Sequence, residues 1–167
     1  ILASQISQAE ADKFFVELTR CKKWRRTGVI WWNMIDGWPQ FSDAVVSYDF
    51  IRKLAYYYIK RSQQPVCLML AEPENWHAKL MIGNDTSDET LTEGSFVSPA
   101  NATVEVDRIR ISHGDQRLML MEWTINGVRS VNHYVLGTPP FDFDRYKSWL
   151  KKIAGLDGAF DAGEVGK

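Results

Sequence analysis

Thr27-Gly28-Val29-Ile30-Trp31-Trp32-Asn33-Met34-Ile35-Asp36-Gly37-Trp38-Pro39-Gln40 is the stretch on which the reading of the fold turns. Thr27-Gly28 punctuates the chain. Val29 to Trp32 then forms an unbroken apolar run with β-branched and aromatic members, which predicts a strand covered on both faces. Strands of that kind belong to parallel sheets. Gly37 and Pro39 mark the segment after it as a loop.

Upstream of this stretch, Ser7-Gln8-Ala9-Glu10 has the Ser-x-x-Glu form of a capping box and predicts a helix start. Ala11, Phe14, Phe15, Leu18 and Cys21 follow at helical spacing and predict one buried face. Downstream, Ile51, Leu54, Ala55, Tyr58 and Ile59 predict a second helix, closed by Pro65. The opening third is thus helix, buried strand, loop, helix. A parallel strand needs neighbours, and nothing else in the sequence supplies them, so this third reads as a slice of a domain.

From Val66 the apolar period changes to two, and strands are predicted at 66–70, 77–82, 102–106, 118–125 and 128–136. Asn126-Gly127 between the last two is a strong hairpin signal, because a type I′ turn needs two residues that tolerate positive φ. Apolar parity shifts between Val104, Val106 and Ile109, Ile111, which places a bulge or turn near Asp107-Arg108. Several short strands with regular turn signals predict a β-sandwich. Asp142 or Asp144 is placed to cap a final helix bearing Tyr146, Trp149, Leu150 and Ile153, with Gly155 as its stop. Residues 157–167, rich in Gly, Asp and Ala, are expected to fray or pack loosely.

A chain of 167 residues is too short for a complete (β/α)8 barrel, which takes ~200 residues or more. With 45% hydrophobic and 25% charged residues, a packed core is within reach and wholesale disorder is excluded. Lys and Arg total 20 against 21 Asp and Glu, with no long stretch of one sign, so bulk charge gives no support for nucleic-acid or anionic-membrane binding. The basic run 20–26 suits a solvated helix end. No run reaches the ~18 apolar residues of a membrane span. The first residue is Ile, which suggests that the natural start lies upstream. Cys21 and Cys67 read as buried free thiols. His77, His113 and His133 have no metal-ligand spacing, and each reads as a surface or structural histidine. Residues 84–89 lack the calcium-loop pattern and read as a solvated turn, so no metal or cofactor is expected. Asn84-Asp85-Thr86 and Asn101-Ala102-Thr103 match the glycosylation pattern, with chance occurrence as the default reading.

Gly28 to Ser42, followed by Val45, Val46, Tyr48, Asp49, Lys53, Ala55 and Tyr56, resembles barrel strand eight and its following helix in glycoside hydrolase family 2, which includes β-mannosidases, exo-glucosaminidases and β-galactosidases. Asn132-His133-Tyr134-Val135-Leu136-Gly137 with Pro139-Pro140-Phe141-Asp142, Tyr146, Trp149 and Leu150 is similar to the end of the small sandwich domain that follows the barrel there. The resemblance implies that residues 1–64 are the last helix-strand-helix of a (β/α)8 barrel. It further implies that residues 65–167 are an immunoglobulin-like antiparallel β-sandwich with a C-terminal helix, a mainly β chain overall.

The family's acid/base and nucleophile glutamates sit on barrel strands four and seven, upstream of Ile1, so no catalytic residue is expected here and the chain alone is expected to be inactive. The intact enzyme would work by retaining hydrolysis with two carboxylates ~5–5.5 Å apart. Trp32 matches the Trp whose ring floors the sugar subsite. Asp36 and Trp38 match the following loop, and Asp36 is placed to accept hydrogen bonds from sugar hydroxyls or loop amides. The family often holds the position of Trp32 in a cis peptide, so the Trp32–Asn33 bond is a candidate for one. Asn33 stands where a Gln is often found, which leaves the sugar open. The implied partners are the remaining barrel and N-terminal domains of the parent glycosidase and its carbohydrate substrate, and not nucleic acid or membrane. Compartment is undetermined, a secreted or periplasmic parent being one reading.

Plainer readings stand beside these. Trp31 and Trp32 point to opposite sides, so one packs against a helix. Tyr56, Tyr57 and Tyr58 diverge around a helix and suit core packing better than a sugar ladder. A rival function is a free-standing β-sandwich that binds glycans or a protein partner. Another is a homodimer covering Phe14, Phe15, Trp31 and the tyrosines.

Overall fold

The computed structural model describes residues 1–92, 96–112, 114 and 116–165. His113 and the last two residues lie outside the described residues. The elements in order are α1 (Leu2–Cys21), α2 (Leu54–Ser62), β1 (Val66–Leu70), β2 (His77–Asn84), β3 (Thr90–Thr92), β4 (Phe96–Ser98), β5 (Ala102–Arg110), β6 (Arg117–Ile125), β7 (Val128–Leu136) and α3 (Phe143–Gly155).

The chain is mainly β, and every pairing between named strands is antiparallel. The strands form a three-stranded sheet in the order β1-β2-β5 and the pairs β3-β4 and β6-β7. Val66, Leu68, Leu80 and Ile82 of the first sheet share one core with Met121 and Trp123 of β6, so the two layers face each other across it. Asn126 and Gly127 take φ of 51° and 75° in the two-residue turn that sets Ile125 opposite Val128. Their positive φ matches the twist of a right-handed hairpin, which is why Asn-Gly marked it in sequence. The bulge falls at Val106: Leu80 pairs with Asp107 and Met81 with Glu105, leaving Val106 without a partner in the register.

A second core joins the helices. Ile6 and Ala9 of α1 meet Leu54, Ala55, Tyr58 and Ile59 of α2, Val45 and Val46 of the connecting segment, and Tyr146, Leu150 and Ile153 of α3. Each large aliphatic side chain buried there contributes ~1.5–3 kcal/mol. Asp142 caps α3 by accepting from the Arg145 backbone N–H at 2.8 Å. The segment after α3 packs rather than frays. Phe160 lies on Tyr57 at 5.1 Å between ring centroids, and Arg61 donates to both carboxylate oxygens of Asp157 at 2.9 and 2.5 Å.

Three expectations are corrected. First, α1 begins at Leu2 and has no side-chain cap at its start, so Ser7 lies inside the helix and Glu10 is engaged elsewhere. Second, α1 buries Ile6, Ala9, Lys13, Val16 and Glu17, while Phe14 and Phe15 are half exposed. A stripe containing a Lys and a Glu escapes any apolar template. Third, Val29 to Trp32 joins no ladder: Ile30 is 92% and Trp32 75% exposed, and only Trp31 packs inward against the helical core. Backbone in a strand must pair, and no described strand runs beside this stretch. The only parallel pairings among the described residues are the isolated bridges Lys23 to Arg26 and Ile35 to Val46. No described helix is long and apolar enough to cross a membrane.

Candidate functional site

Residues 22–53 connect α1 to α2 without regular structure, and the three sequence-predicted site residues lie here. The segment is shaped by a short backbone stitch: Val45 N–H donates to the Asn33 carbonyl and Val46 N–H to the Met34 carbonyl, each at 3.0 Å. Asp36 N–H returns to the Val46 carbonyl at 3.1 Å. The loop 34–46 is thereby closed on itself, with Ala44, Val45 and Val46 buried beneath it.

Asp36 is the pin of this loop. Its side chain is fully covered. One carboxylate oxygen accepts from the Ser42 hydroxyl and from Gln40 Nε2, the other from Lys53 Nζ at 3.1 Å. Lys53 also donates to the Ser42 carbonyl at 3.2 Å, and Ser42 Oγ accepts from Ala44 N–H at 3.1 Å. The Ser42 hydrogen bond first, then those from Lys53 and Gln40, hold the carboxyl below its ordinary range, so it is ionised at neutral pH. Its acceptor capacity is directed into the loop.

Trp32 and Trp38 differ from Asp36 in kind: both rings are open, at 75% and 64% exposure. The Trp32–Asn33 peptide is cis, and Asn33 Oδ1 is buried without a hydrogen-bond partner. Ile30, Phe41, Phe50 and Ile51 of the same segment are also exposed, Phe41 at 95%. Beside the loop, a groove of about 670 Å³ runs between the start of α1 and residues 40–53, lined by Gln5, Gln8, Gln40, Phe41, Asp43 and Arg52 among others.

The structure also assembles buried polar networks that sequence reasoning missed. Glu17 accepts from Lys13 Nζ at 3.0 Å, Tyr134 Oη at 2.5 Å and Asn132 Nδ2 at 2.8 Å; Lys13 and Glu17 are each 2% exposed. Asn132 Nδ2 also donates to the Leu68 carbonyl at 3.0 Å, tying α1 to β1 and β7. Glu10 Oε1 accepts from His133 Nε2 at 3.0 Å and Tyr146 Oη at 2.5 Å. Because the single Tyr146 proton goes to Glu10, Tyr58 donates to Tyr146 across 2.8 Å. His133 is fully buried, and burial holds its pKa below the ordinary value. Its Nδ1 has no partner, which suits the neutral ring with its proton on Nε2. No group of three or more metal-ligating side chains occurs among the described residues. Asn84, the first glycosylation match, is fully buried, donates to the Asp88 and Ser98 carbonyls, and is closed to modification in the folded chain.

No protein-family model matches the sequence, and no curated protein matches it. Among solved structures the chain has clear likenesses of fold. One such structure is the crystal structure of a β-D-mannosidase from Dictyoglomus thermophilum, with a TM-score of 0.67 and 22% identity. The match covers 80% of this chain and 19% of that chain. At this identity the likeness is one of fold. The chain therefore spans about one fifth of the length of the protein it matches.

Proposed function

We propose that this chain is a C-terminal part of a retaining β-glycosidase, that it positions the sugar rather than cleaving it, and that it is inactive alone. Residues 1–64 are then the closing helix, strand position and helix of a (β/α)8 barrel. Residues 65–167 are an immunoglobulin-like domain that buttresses it. One observation carries the reading: an open Trp32 ring stands at the mouth of a loop that Asp36 pins from inside, on a fold that overlays part of a β-mannosidase.

In this reading the flat apolar face of Trp32 stacks on the C–H face of the sugar, and Trp38 extends the wall. Asp36 acts at one remove, as a positioning residue, because its oxygens are engaged by Ser42, Gln40 and Lys53. The rest of the parent protein covers Ile30, Phe41 and Phe50, whose exposure in one segment exceeds what scattered surface apolars explain. Proton transfer and nucleophilic attack belong to the two carboxylates of that remainder.

The test starts from the coding region. It should encode a barrel with two glutamates upstream of Ile1, and its absence would sink the proposal. With the parent in hand, Trp32→Ala should lower kcat/KM on an aryl β-mannoside about 10- to 100-fold, the scale of a lost positioning contact, without moving the melting temperature. Turnover by the isolated chain would overturn the assignment of catalysis to the remainder.

A further inference from the structure

A cleft of about 330 Å³ opens on the seam between α1, the end of β7 and the start of α3, remote in sequence from the Trp32 loop. That volume lies at the small end of the range for small-molecule clefts, ~300–1,000 Å³. Its rim carries Phe14 and Phe141, exposed by 50% and 49%, and its interior presents Glu10, Lys13, Tyr134 and Tyr146.

Accessibility decides the sign of the charge that a ligand would meet. Lys13 is 2% exposed, and its charge is matched by Glu17 at 3.0 Å. Its ammonium already sits 3.6 Å from the centroid of the Tyr134 ring, so that ring face is filled by a cation of the protein's own. Glu10, in contrast, is 30% exposed. Its Oε1 takes both internal donors, His133 Nε2 and Tyr146 Oη, Oε2 takes no hydrogen bond among the described residues, and the residue lines the cleft. Burial opposes ionisation of Glu10, but the hydrogen bond from His133, the Lys13 charge and the hydrogen bond from Tyr146 overcome it and hold the carboxyl below its ordinary range. The reachable charge is one fixed carboxylate framed by aromatic rims.

We propose that this cleft binds a small organic ammonium of the arylalkyl-amine class, its N–H donors on Glu10 Oε2 and its apolar part between Phe14 and Phe141. A carboxylate at the foot of an apolar slot selects a cation by charge and its hydrocarbon by burial. Lys13 and Tyr134 form the rigid floor and are not displaced. The site is independent of the sugar-positioning role and stands or falls separately.

The test titrates the folded chain at pH 7 with phenethylammonium, the neutral 2-phenylethanol and the anionic 3-phenylpropionate, following methyl and aromatic NMR shifts. The ammonium should bind saturably and about tenfold or more tighter than the alcohol, with the anion weakest. Glu10→Gln should erase the preference over the alcohol. Because Glu10 also anchors His133, Phe14→Ala, at a half-exposed position, provides the second variant and should weaken the ammonium severalfold with an unchanged far-UV spectrum. Equal binding of amine and alcohol, tighter binding of the anion, absence of saturation, or an unaltered affinity in Phe14→Ala would each overturn the proposal.

Discussion

Replacing Glu17 by Gln removes a charge from the most heavily committed carboxylate among the described residues. In the native fold Glu17 faces the Lys13 ammonium at 3.0 Å and accepts from Tyr134 and Asn132 at 2.5 and 2.8 Å. Both charges are 2% exposed, so water cannot replace the lost partner. Removing one member of a buried pair costs ~3–5 kcal/mol, against ~0–1 for an exposed pair. A domain of this kind has a total stability of ~5–15 kcal/mol, so the loss is a third or more of the whole at midrange. With a urea slope of ~2 kcal/mol/M, the unfolding midpoint should fall by about 2 M.

The assay is equilibrium urea unfolding of the chain followed by far-UV circular dichroism and tryptophan fluorescence. Lys13→Met should cost less, ~1–3 kcal/mol, because Tyr134 and Asn132 still solvate the remaining carboxylate. The double variant should fall short of the sum, since the two residues share one network. A midpoint shift below about 0.5 M for Glu17→Gln would place the pair in the exposed class and refute the reasoning.

Acid should destabilise the chain in two stages. His133 and Glu10 both have folded pKa values below their ordinary 6.5 and 4.5, so the unfolded state binds more protons. The stability they contribute is therefore full above about pH 6.5 and lost as pH falls, first through histidine and then, at lower pH, through Glu10. A melting temperature that rises from pH 7 to pH 5 would contradict this. Asp36→Asn should speed amide hydrogen exchange at Val45 and Val46 while leaving the global melt nearly unchanged, because the pin is local to its loop; protection equal to wild type would count against it. Cys67 is fully buried and its thiol is pushed up to about 12, chiefly by burial, so the native chain should react with a disulfide reagent at pH 8 only through unfolding. Rapid labelling at Cys67 without denaturant would oppose that assignment.

Much of the β architecture was legible in the sequence because its determinants are local. Short apolar or alternating runs mark β1, β2, β5, β6 and β7, and Asn126-Gly127 sets the register of the β6-β7 hairpin through its own φ preferences. The parity break located the bulge to within a residue of Val106. The short β3 and β4, three residues each, fall below what alternation reveals. Ser42, Asp36 and Lys53 were legible as parts of one motif, though not that the carboxylate would turn inward to meet the other two.

The sequence by itself determined the strand pattern, the hairpin, the cap of α3 and the candidate loop around Trp32, all encoded within a few residues of where they act. Only the tertiary structure decided which face of α1 is buried and what Glu10 and Glu17 do. Glu17 meets Asn132 and Tyr134 across 115 and 117 positions, and Glu10 meets His133 and Tyr146 across 123 and 136. Read locally, a Lys and a Glu four apart are a solvated helix pair worth a few tenths of a kcal/mol. What makes them a core is the desolvation imposed by distant elements, and no local pattern of residues carries that information.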